Sequence, residues 1–355
     1  DDIYFTANMA PNKLYLNKGN MRFVDITAQS GAGGNESPWK TGVTMADVNG
    51  DGKLDLYISR SGTIRPENRI PELLINDGPD AQGITHFTTR TTEYGLAQPV
   101  QSTQGVFFDY DRDGDLDLFQ LNHNPRLLPI LDPSATAAIM KQPDPQIGVR
   151  LYKNTGNHFT DVTAKSGLSS SPLSYGLGIG VSDLNNDGWP DLYVSNDYGV
   201  PDYLYINNRD GTFSEIAQLA GVSKTDWSWC PLIADFDNDG YKDIYISNGY
   251  LRDYTNKDFL RYWGDYKIKK AMAREPFLLM DLVTAMPSTA VPDYVFKNEG
   301  NLTFSNKQQE WGLNQTNMSN GAIYADLDND GDLDLVVNTI NQPASIYRNH
   351  STDVH

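Results

Sequence analysis

Cysteine is nearly absent: Cys230 stands alone in 355 residues, so no intrachain disulfide framework can hold the fold together. No apolar run approaches the ~18 residues that a membrane-spanning helix requires. Cations are scarce as well, with 28 Lys and Arg against 46 Asp and Glu, a formal net charge of −18 and a pI near 4.5. Nucleic-acid binding needs a basic footprint to displace counterions, which this balance excludes as a partner class. The five histidines (His86, His123, His158, His350 and His355) lack the HxxH or HExxH spacing of a zinc site and read as structural or solvated. Apolar and aromatic residues are ample for a core, which excludes wholesale disorder. What remains to explain is the clustering of the acids.

Five segments share one spacing, with Asp first, Asp or Asn third, Asp fifth, Gly sixth and Asp ninth. They are DVNGDGKLD (Asp47, Asn49, Asp51, Lys53, Asp55), DYDRDGDLD (Asp109, Asp111, Asp113, Asp115, Asp117) and DLNNDGWPD (Asp183, Asn185, Asp187, Trp189, Asp191). The other two are DFDNDGYKD (Asp235, Asp237, Asp239, Tyr241, Asp243) and DLDNDGDLD (Asp326, Asp328, Asp330, Asp332, Asp334). So many carboxylates in nine residues repel one another unless a cation sits among them. Ca²⁺ suits the pattern because it accepts six to eight oxygen ligands in a flexible shell. Positions 1, 3 and 5 would converge on it and position 9 would close the shell. Position 7 would offer its backbone carbonyl, which accounts for its tolerance of Lys53, Asp115, Trp189, Tyr241 and Asp332. An EF-hand is excluded, since position 12 is Ile58, Gln120, Val194, Ile246 or Val337 rather than Glu, and both flanks read as strands. About five Ca²⁺ are expected, which would bring the formal charge from −18 to about −8.

The loops belong to a longer repeat. After each comes an apolar strand (LYIS, LFQL, LYVS, IYIS, LVVN), and then a second signature: ELLIND, VRLYKNTG, DYLYINNRDG, DYVFKNEG and ASIYRN. Four of these precede a phenylalanine strand, HFTTRTT, HFTDVTA, TFSEIAQ or TFSNKQQ. The unit is strand A, acidic loop, strand B, strand C, strand D. Four-stranded antiparallel modules in series, none able to bury both faces alone, predict an all-β fold, a β-propeller. Complete blades are expected at 43–90, 105–163, 177–216 and 231–306, with partial ones at 2–27 and 321–349. Asp2 aligns with the ninth position of a sixth loop. The whole of 1–355 reads as a single propeller domain or an excerpt of one, with a seventh blade expected in the parent protein.

The Asp loop, the DLYxS strand and the LYxN strand resemble the FG-GAP or VCBS repeat of integrin α-subunit propellers. The GxxxAD stretches (Gly42 to Asp47, Gly321 to Asp326), LYLNKG (14–19) and FVDITAQSG (23–31) resemble bacterial surface proteins of the cartilage-acidic-protein, ASPIC/UnbV type more closely. That resemblance implies a seven-bladed, secreted or surface-exposed, calcium-bearing interaction platform with no established enzymatic reaction.

Two insertions interrupt the repeat. Residues 122–148 form a Pro-rich excursion with a short helical stretch at Ala135–Lys141. Residues 250–292 predict helices at Thr255–Arg274 and Pro276–Met286, locally basic on an acidic chain, either as a cap over the propeller or as a docking surface for a partner. Cys230 and the aromatic residues Trp227 and Trp229 read as packing residues, with sugar stacking as the alternative for the tryptophans. The leading function is a calcium-stabilised interaction module, a subunit or adhesion component of an extracellular assembly whose partner is a protein or a surface glycan. A lectin-like propeller is the alternative and a polysaccharide lyase a third class, disfavoured because no acid–base group converges with the loops. No enzyme activity is expected. Loops of modest affinity would be poorly loaded at cytosolic calcium, which places the protein outside the cytoplasm.

Overall fold

A computed structural model of the chain describes residues 2–36, 39–62, 65–126, 132–197 and 200–352. Residues 127–131 of the first insertion therefore lie outside the described residues. The chain forms two compact units, Asp1–Ser223 and Lys224–His355.

The first unit holds four antiparallel sheets, each a meander in sequence order. The first has strands β1 (Ile3–Phe5), β2 (Lys13–Asn17) and β3 (Phe23–Asp25), followed by the short helix α1 (Thr27–Ser30). The second has β4 (Lys40–Ala46), β5 (Asp55–Arg60), β6 (Glu72–Pro79) and β7 (Thr85–Thr89). The third has β8 (Ser102–Phe108), β9 (Asp117–Asn122), β10 (Arg150–Asn154) and β11 (Phe159–Asp161), with helix α2 (Pro133–Met140) between β9 and β10. The fourth has β12 (Gly176–Ser182), β13 (Asp191–Asn196), β14 (Tyr203–Asn207) and β15 (Phe213–Glu215), followed by α3 (Ala217–Ala220).

In the second unit, β16 (Ser228–Ala234) and β17 (Asp243–Asn248) lead into the helical insertion α4 (Lys257–Ala273) and α5 (Leu279–Ala285). A two-residue strand β18 (Val291–Pro292) pairs with β21 (Thr316–Asn317), while β19 (Tyr294–Asn298) and β20 (Phe304–Asn306) complete the fifth sheet. The sixth is three-stranded: β22 (Ser319–Ala325), β23 (Asp334–Thr339) and β24 (Ser345–Tyr347). These are β-propeller blades, four of four strands and two of three, with the strand content that the repeat predicts. The predicted helices are present too: α2 begins two residues before the expected stretch and ends one before its end, while α4 and α5 are trimmed at both ends.

Burial explains the repeat. Every residue of β5, β9, β13 and β17 is buried, as expected for a B strand covered on both faces, so these strands read as continuous apolar or small runs. Leu56, Ile58 and Leu74 meet Tyr4, Leu14 and Ile26 of the first blade. Tyr57 and Leu73 meet Leu118 and Tyr152, and Phe119 and Leu151 meet Leu192 and Val194. In the second unit Tyr245 and Val295 join Leu335 and Val337. Each such side chain contributes roughly 1.5–3 kcal/mol, and it does so only when the neighbouring blade is in place.

The B-strand tyrosines carry their hydroxyls into the core and find partners there. Tyr57 Oη accepts from Gln120 Nε2 at 2.6 Å, Tyr193 donates to Asp202 at 3.0 Å and Tyr245 donates to Asp293 at 2.7 Å. Arg60 and Glu72 form a buried ion pair at 2.6 Å. Cys230 is partly buried with its thiol directed at the Ala322 carbonyl, in keeping with a packing role. Trp227 stacks on Tyr250 at 4.9 Å and Trp229 lies parallel to the same ring, so these aromatics engage one another.

Candidate metal centres

All five acidic loops join an A strand to a B strand and have one backbone conformation. Position 6 is left-handed, with φ between +82° and +95° at Gly52, Gly114, Gly188, Gly240 and Gly331. Position 4 is left-handed as well, at Gly50, Arg112, Asn186, Asn238 and Asn329, with φ between +56° and +72°. The second requirement escaped the sequence reading; Gly or Asn in four of five copies was its signal.

The carboxylates do two kinds of work. Position 1 organises the loop: Asp47 accepts from the backbone N–H groups of Asp51 and Gly52, at 3.0 and 2.7 Å, and Asp235 accepts from Asp239 and Gly240, at 3.1 and 2.9 Å. Asp109, Asp183 and Asp326 repeat the pattern. Position 5 accepts the N–H of position 7, so Asp51, Asp113, Asp187, Asp239 and Asp330 bond Lys53, Asp115, Trp189, Tyr241 and Asp332. Position 3 is Asn in two loops; Asn49 and Asn185 accept from Asp51 and Asp187 at 3.1 and 3.0 Å.

Position 9 is the buried anchor of each blade. Asp243 is fully buried; one oxygen accepts from Phe236 N–H at 3.0 Å and the other from Asn298 N–H at 2.9 Å. Asp55, Asp117, Asp191 and Asp334 tie position 2 to the C-strand asparagine in the same way, through Asn76, Asn154, Asn207 and Asn349. Asp2 accepts from Asn17 N–H at 2.8 Å, the same bond, which matches its alignment with a ninth position. Burial raises the carboxyl groups of Asp117, Asp191 and Asp243 to about 7, and that of Asp55 upward.

The asparagine of LYxN, read from sequence only as a strand marker, is a stitch. Asn154 Nδ2 donates to Leu116 O of its own loop and to Val48 O of the preceding blade's loop; Asn207 does so to Pro190 O and Tyr110 O. Asn349 joins Leu333 O to Phe236 O.

Among the described residues, three loops bring carboxylate oxygens within 4.8 Å of one another: Asp109, Asp111 and Asp117; Asp235, Asp237 and Asp239; and Asp326, Asp328 and Asp330. Position 9 thus joins the cluster in the second loop, while position 5 does so in the fourth and fifth. Each loop also has a basic companion. Lys53 bonds Asp51 at 2.8 Å through its own ammonium, and Arg209 bonds Asp187 at 2.7 Å. Lys153 pairs with Asp111 and Asp113, Lys297 with Asp237 and Asp239, and Arg348 with Asp328 and Asp330. These carboxylates hold the Lys153 and Lys297 ammonium groups above their usual pKa, against the burial that opposes charge at Lys297. The basic residue beside the C-strand Asn (Lys153, Lys297, Arg348) was the unread signal. A metal is therefore one of two sources of positive charge at these loops.

The donor set still fits a hard cation. Asp111 Oδ1 and Asp237 Oδ1 are buried acceptors with no hydrogen-bond partner, each inside one of the three carboxylate clusters. Hard oxygen donors in that number suit Ca²⁺.

Comparison with known proteins places this geometry. Human cartilage acidic protein 1 is 24% identical over 346 residues, covering 86% of this chain and 49% of that protein. Integrin alpha-6 of Gallus gallus is 32% identical over 126 residues, 32% of this chain and 11% of that one. The chain spans at most about half the length of these curated relatives. A solved lectin of Agrocybe aegerita, described as recognising non-reducing terminal N-acetylglucosamine, covers 99% of this chain and 81% of its own, at 14% identity and a TM-score of 0.48. The FG-GAP-like repeat model matches residues 1–58, 183–246 and 279–337, about half of the sequence, and the chain belongs to the FG-GAP-like repeat family.

Proposed function

We propose that this chain is a non-catalytic interaction platform of an extracellular assembly, built on β-propeller blades whose five acidic loops each bind one Ca²⁺. Its family and its integrin and cartilage-acidic-protein relatives support the interaction role. The observation that carries the calcium reading is the pair of buried, unpartnered oxygens, Asp111 Oδ1 and Asp237 Oδ1, each within a carboxylate cluster. Positions 1, 3 and 5 would supply the ligands, and position 9 as well in the second loop. The ion would fix each A–B hairpin and so the surface that the blades present.

The docking surface in this reading is the insertion at 250–292. Helix α4 buries only Phe259, and Leu260, Ile268 and Met272 are exposed, as are Phe277 to Met280 before and within α5. Tyr266 holds the two helices together, donating to Asp281 at 2.6 Å and meeting the Phe277 ring edge-on. The partner is accordingly a protein with an apolar patch.

Ca²⁺ bound only by the folded chain adds about 4 kcal/mol per site at a thousandfold excess over Kd. Native mass spectrometry in millimolar Ca²⁺ should then count about five ions, and EDTA should lower Tm by many degrees. A calcium-free mass together with an unchanged Tm would refute the metal role. Deletion of 255–290 should abolish capture of the native partner while Ca²⁺ binding persists; unchanged capture would refute docking through the insertion.

A further inference from the structure

Among the described residues of the first unit three arginines are buried, Arg60, Arg69 and Arg150, at 1%, 8% and 6% exposure. Each keeps one guanidinium nitrogen without a hydrogen-bond partner: Arg60 Nε, Arg69 Nε and Arg150 Nη2. Two of them have a carboxylate beside them. Glu72 meets Arg60 at 2.6 Å, and Asp161 stands 3.7 Å from Arg150. Arg69 differs. Among the described residues no acid pairs with it, and its Nη2 donates to the neutral amide of Gln146, at Oε1, over 3.1 Å.

What stands near Arg69 is a second cation. Arg69 closes the short 3₁₀ turn Pro66–Arg69 between β5 and β6, and Arg126 lies between β9 and α2. Val100 and Gln101 lace these connections together. Val100 N–H donates to Arg69 O at 3.4 Å, Gln101 N–H to Gln146 O at 2.8 Å, and His123 N–H to Gln101 O at 2.8 Å. Tyr175 sets its ring edge-on to His123 at 5.3 Å and donates to Arg126 O at 3.1 Å. Burial lowers the pKa of Arg69, and the charge of Arg126 lowers it further. Arg126 is exposed, and among the described residues its guanidinium has no hydrogen bond or ion pair. The acids closest in sequence are engaged elsewhere: Glu67 lies 4.0 Å from Arg65, and Asp144 accepts Gln146 N–H at 2.8 Å within its own turn.

We propose that Arg69 and Arg126 form a binding site for a tetrahedral oxyanion, a phosphate or sulfate group, on the side of the first unit where B strands pass into C strands. An uncompensated buried charge destabilises a fold, and an anion between the two arginines removes that penalty. Two guanidinium charges match a doubly charged anion, whose oxygens accept their N–H groups in pairs. Gln146 is exposed, so the Arg69 guanidinium bonded to it lies at the rim, within an anion's reach. The acidic loops do not repel such a ligand. They open the B strands, and the arginines lie past the far ends. Strands β5 and β9 have six residues each and span about 20 Å, well beyond the ~8 Å Debye length of physiological salt. The site needs neither calcium nor the insertion at 250–292.

The test is isothermal titration calorimetry of sodium sulfate, sodium phosphate and sodium acetate into the full chain in EDTA, with NaCl holding the ionic strength constant. Saturable binding of sulfate or phosphate below about 10 mM is expected, with acetate weaker. The tighter of the two names the group. Arg126→Gln, an exposed substitution, should weaken binding by about tenfold or more, the worth of one charge-assisted hydrogen bond. Arg69→Met should abolish binding and leave the anion-free Tm equal to the parent's or higher, because an unpaired buried charge is gone. A lower anion-free Tm in Arg69→Met would make Arg69 a structural residue already satisfied, and overturns the proposal. So does the absence of saturable binding, acetate binding as tight as both tetrahedral anions, or binding that Arg126→Gln leaves unchanged.

Discussion

Replacing Asp243 by Ala separates the anchoring role of position 9 from metal binding. Its carboxylate is fully buried and accepts Phe236 N–H at 3.0 Å and Asn298 N–H at 2.9 Å. Alanine leaves both donors buried without partners, at about 1–3 kcal/mol each. An opposing term exists, because burial raises this carboxyl to about 7 and so disfavours its charged form; removing the charge returns part of the loss. The net cost comes to about 2–4 kcal/mol, a large share of the ~5–15 kcal/mol that holds a domain folded. In Tm that is roughly 5–12 °C. The comparison variant is Asp237→Asn in the same loop, which removes a candidate ligand charge and leaves the anchor intact. Differential scanning fluorimetry at pH 8, in EDTA and in Ca²⁺, reads both. Asp243→Ala should melt early in both conditions, whereas Asp237→Asn, which leaves Lys297 paired with Asp239, should lose no more than about 1 kcal/mol in EDTA and lose part of the Ca²⁺-induced rise. An Asp243→Ala chain that melts with the parent in EDTA would falsify the anchoring argument.

Other perturbations test neighbouring steps. Glu72→Ala leaves Arg60 as an uncompensated charge at 1% side-chain exposure and should cost about 3–5 kcal/mol by denaturant titration, with Arg60→Met/Glu72→Leu recovering most of it; equal loss in the double variant would point to packing instead. Asn207→Ala cuts the stitch between Tyr110 O and Pro190 O and should cost about 1–3 kcal/mol in the same assay. Arg112→Asn places a residue that tolerates φ +57° and should raise Tm slightly, by about 0.5–1 kcal/mol of stability; a lower Tm would credit the Arg112 cation over Trp189 instead. In EDTA, stability should fall as pH rises from about 4 to about 7. Asp117, Asp191 and Asp243 bind protons more tightly folded than unfolded, so their contribution is full below the unfolded pKa and lost through the folded one. The Ca²⁺-induced rise in Tm should correspondingly be larger at pH 7.5 than at pH 5.

The blades were legible because each of their requirements falls on adjacent residues. The turn needs Gly at position 6, the buried B strand needs a run such as LYVS, and the D strand needs its Phe, so one copy taught how to read the next. The stitch was harder. Asn154 bonds Val48 O across 106 residues, and no local spacing encodes a contact with the previous blade. The same holds for Lys153 and Lys297, whose amino groups reach loops 42 and 60 residues back. Position 9 was read as a ligand that closes a shell, because its carboxyl type was visible and its burial was not. Tertiary contact adds a second role: each of these carboxylates accepts two backbone N–H groups, and among the described residues Asp117 of the second loop also joins a cluster within 4.8 Å.

That division changes what the negative charge means. If a cation were the sole counterweight, removing it would leave each loop to fly apart under its own repulsion. Here the position-1 and position-9 carboxylates are held by backbone N–H groups, and a Lys or Arg already leans on the position-3 or position-5 acids of every loop. A bound ion would have to compete with an ammonium or guanidinium for the same oxygens, so its binding would gain the difference between two charge pairings rather than the whole relief of repulsion. Such a loop would keep its backbone course without metal and stiffen on binding one. On the proposed calcium reading, the ion would adjust stability in graded steps, loop by loop, on a frame whose folding rests on the apolar B strands and the asparagine stitches between neighbours.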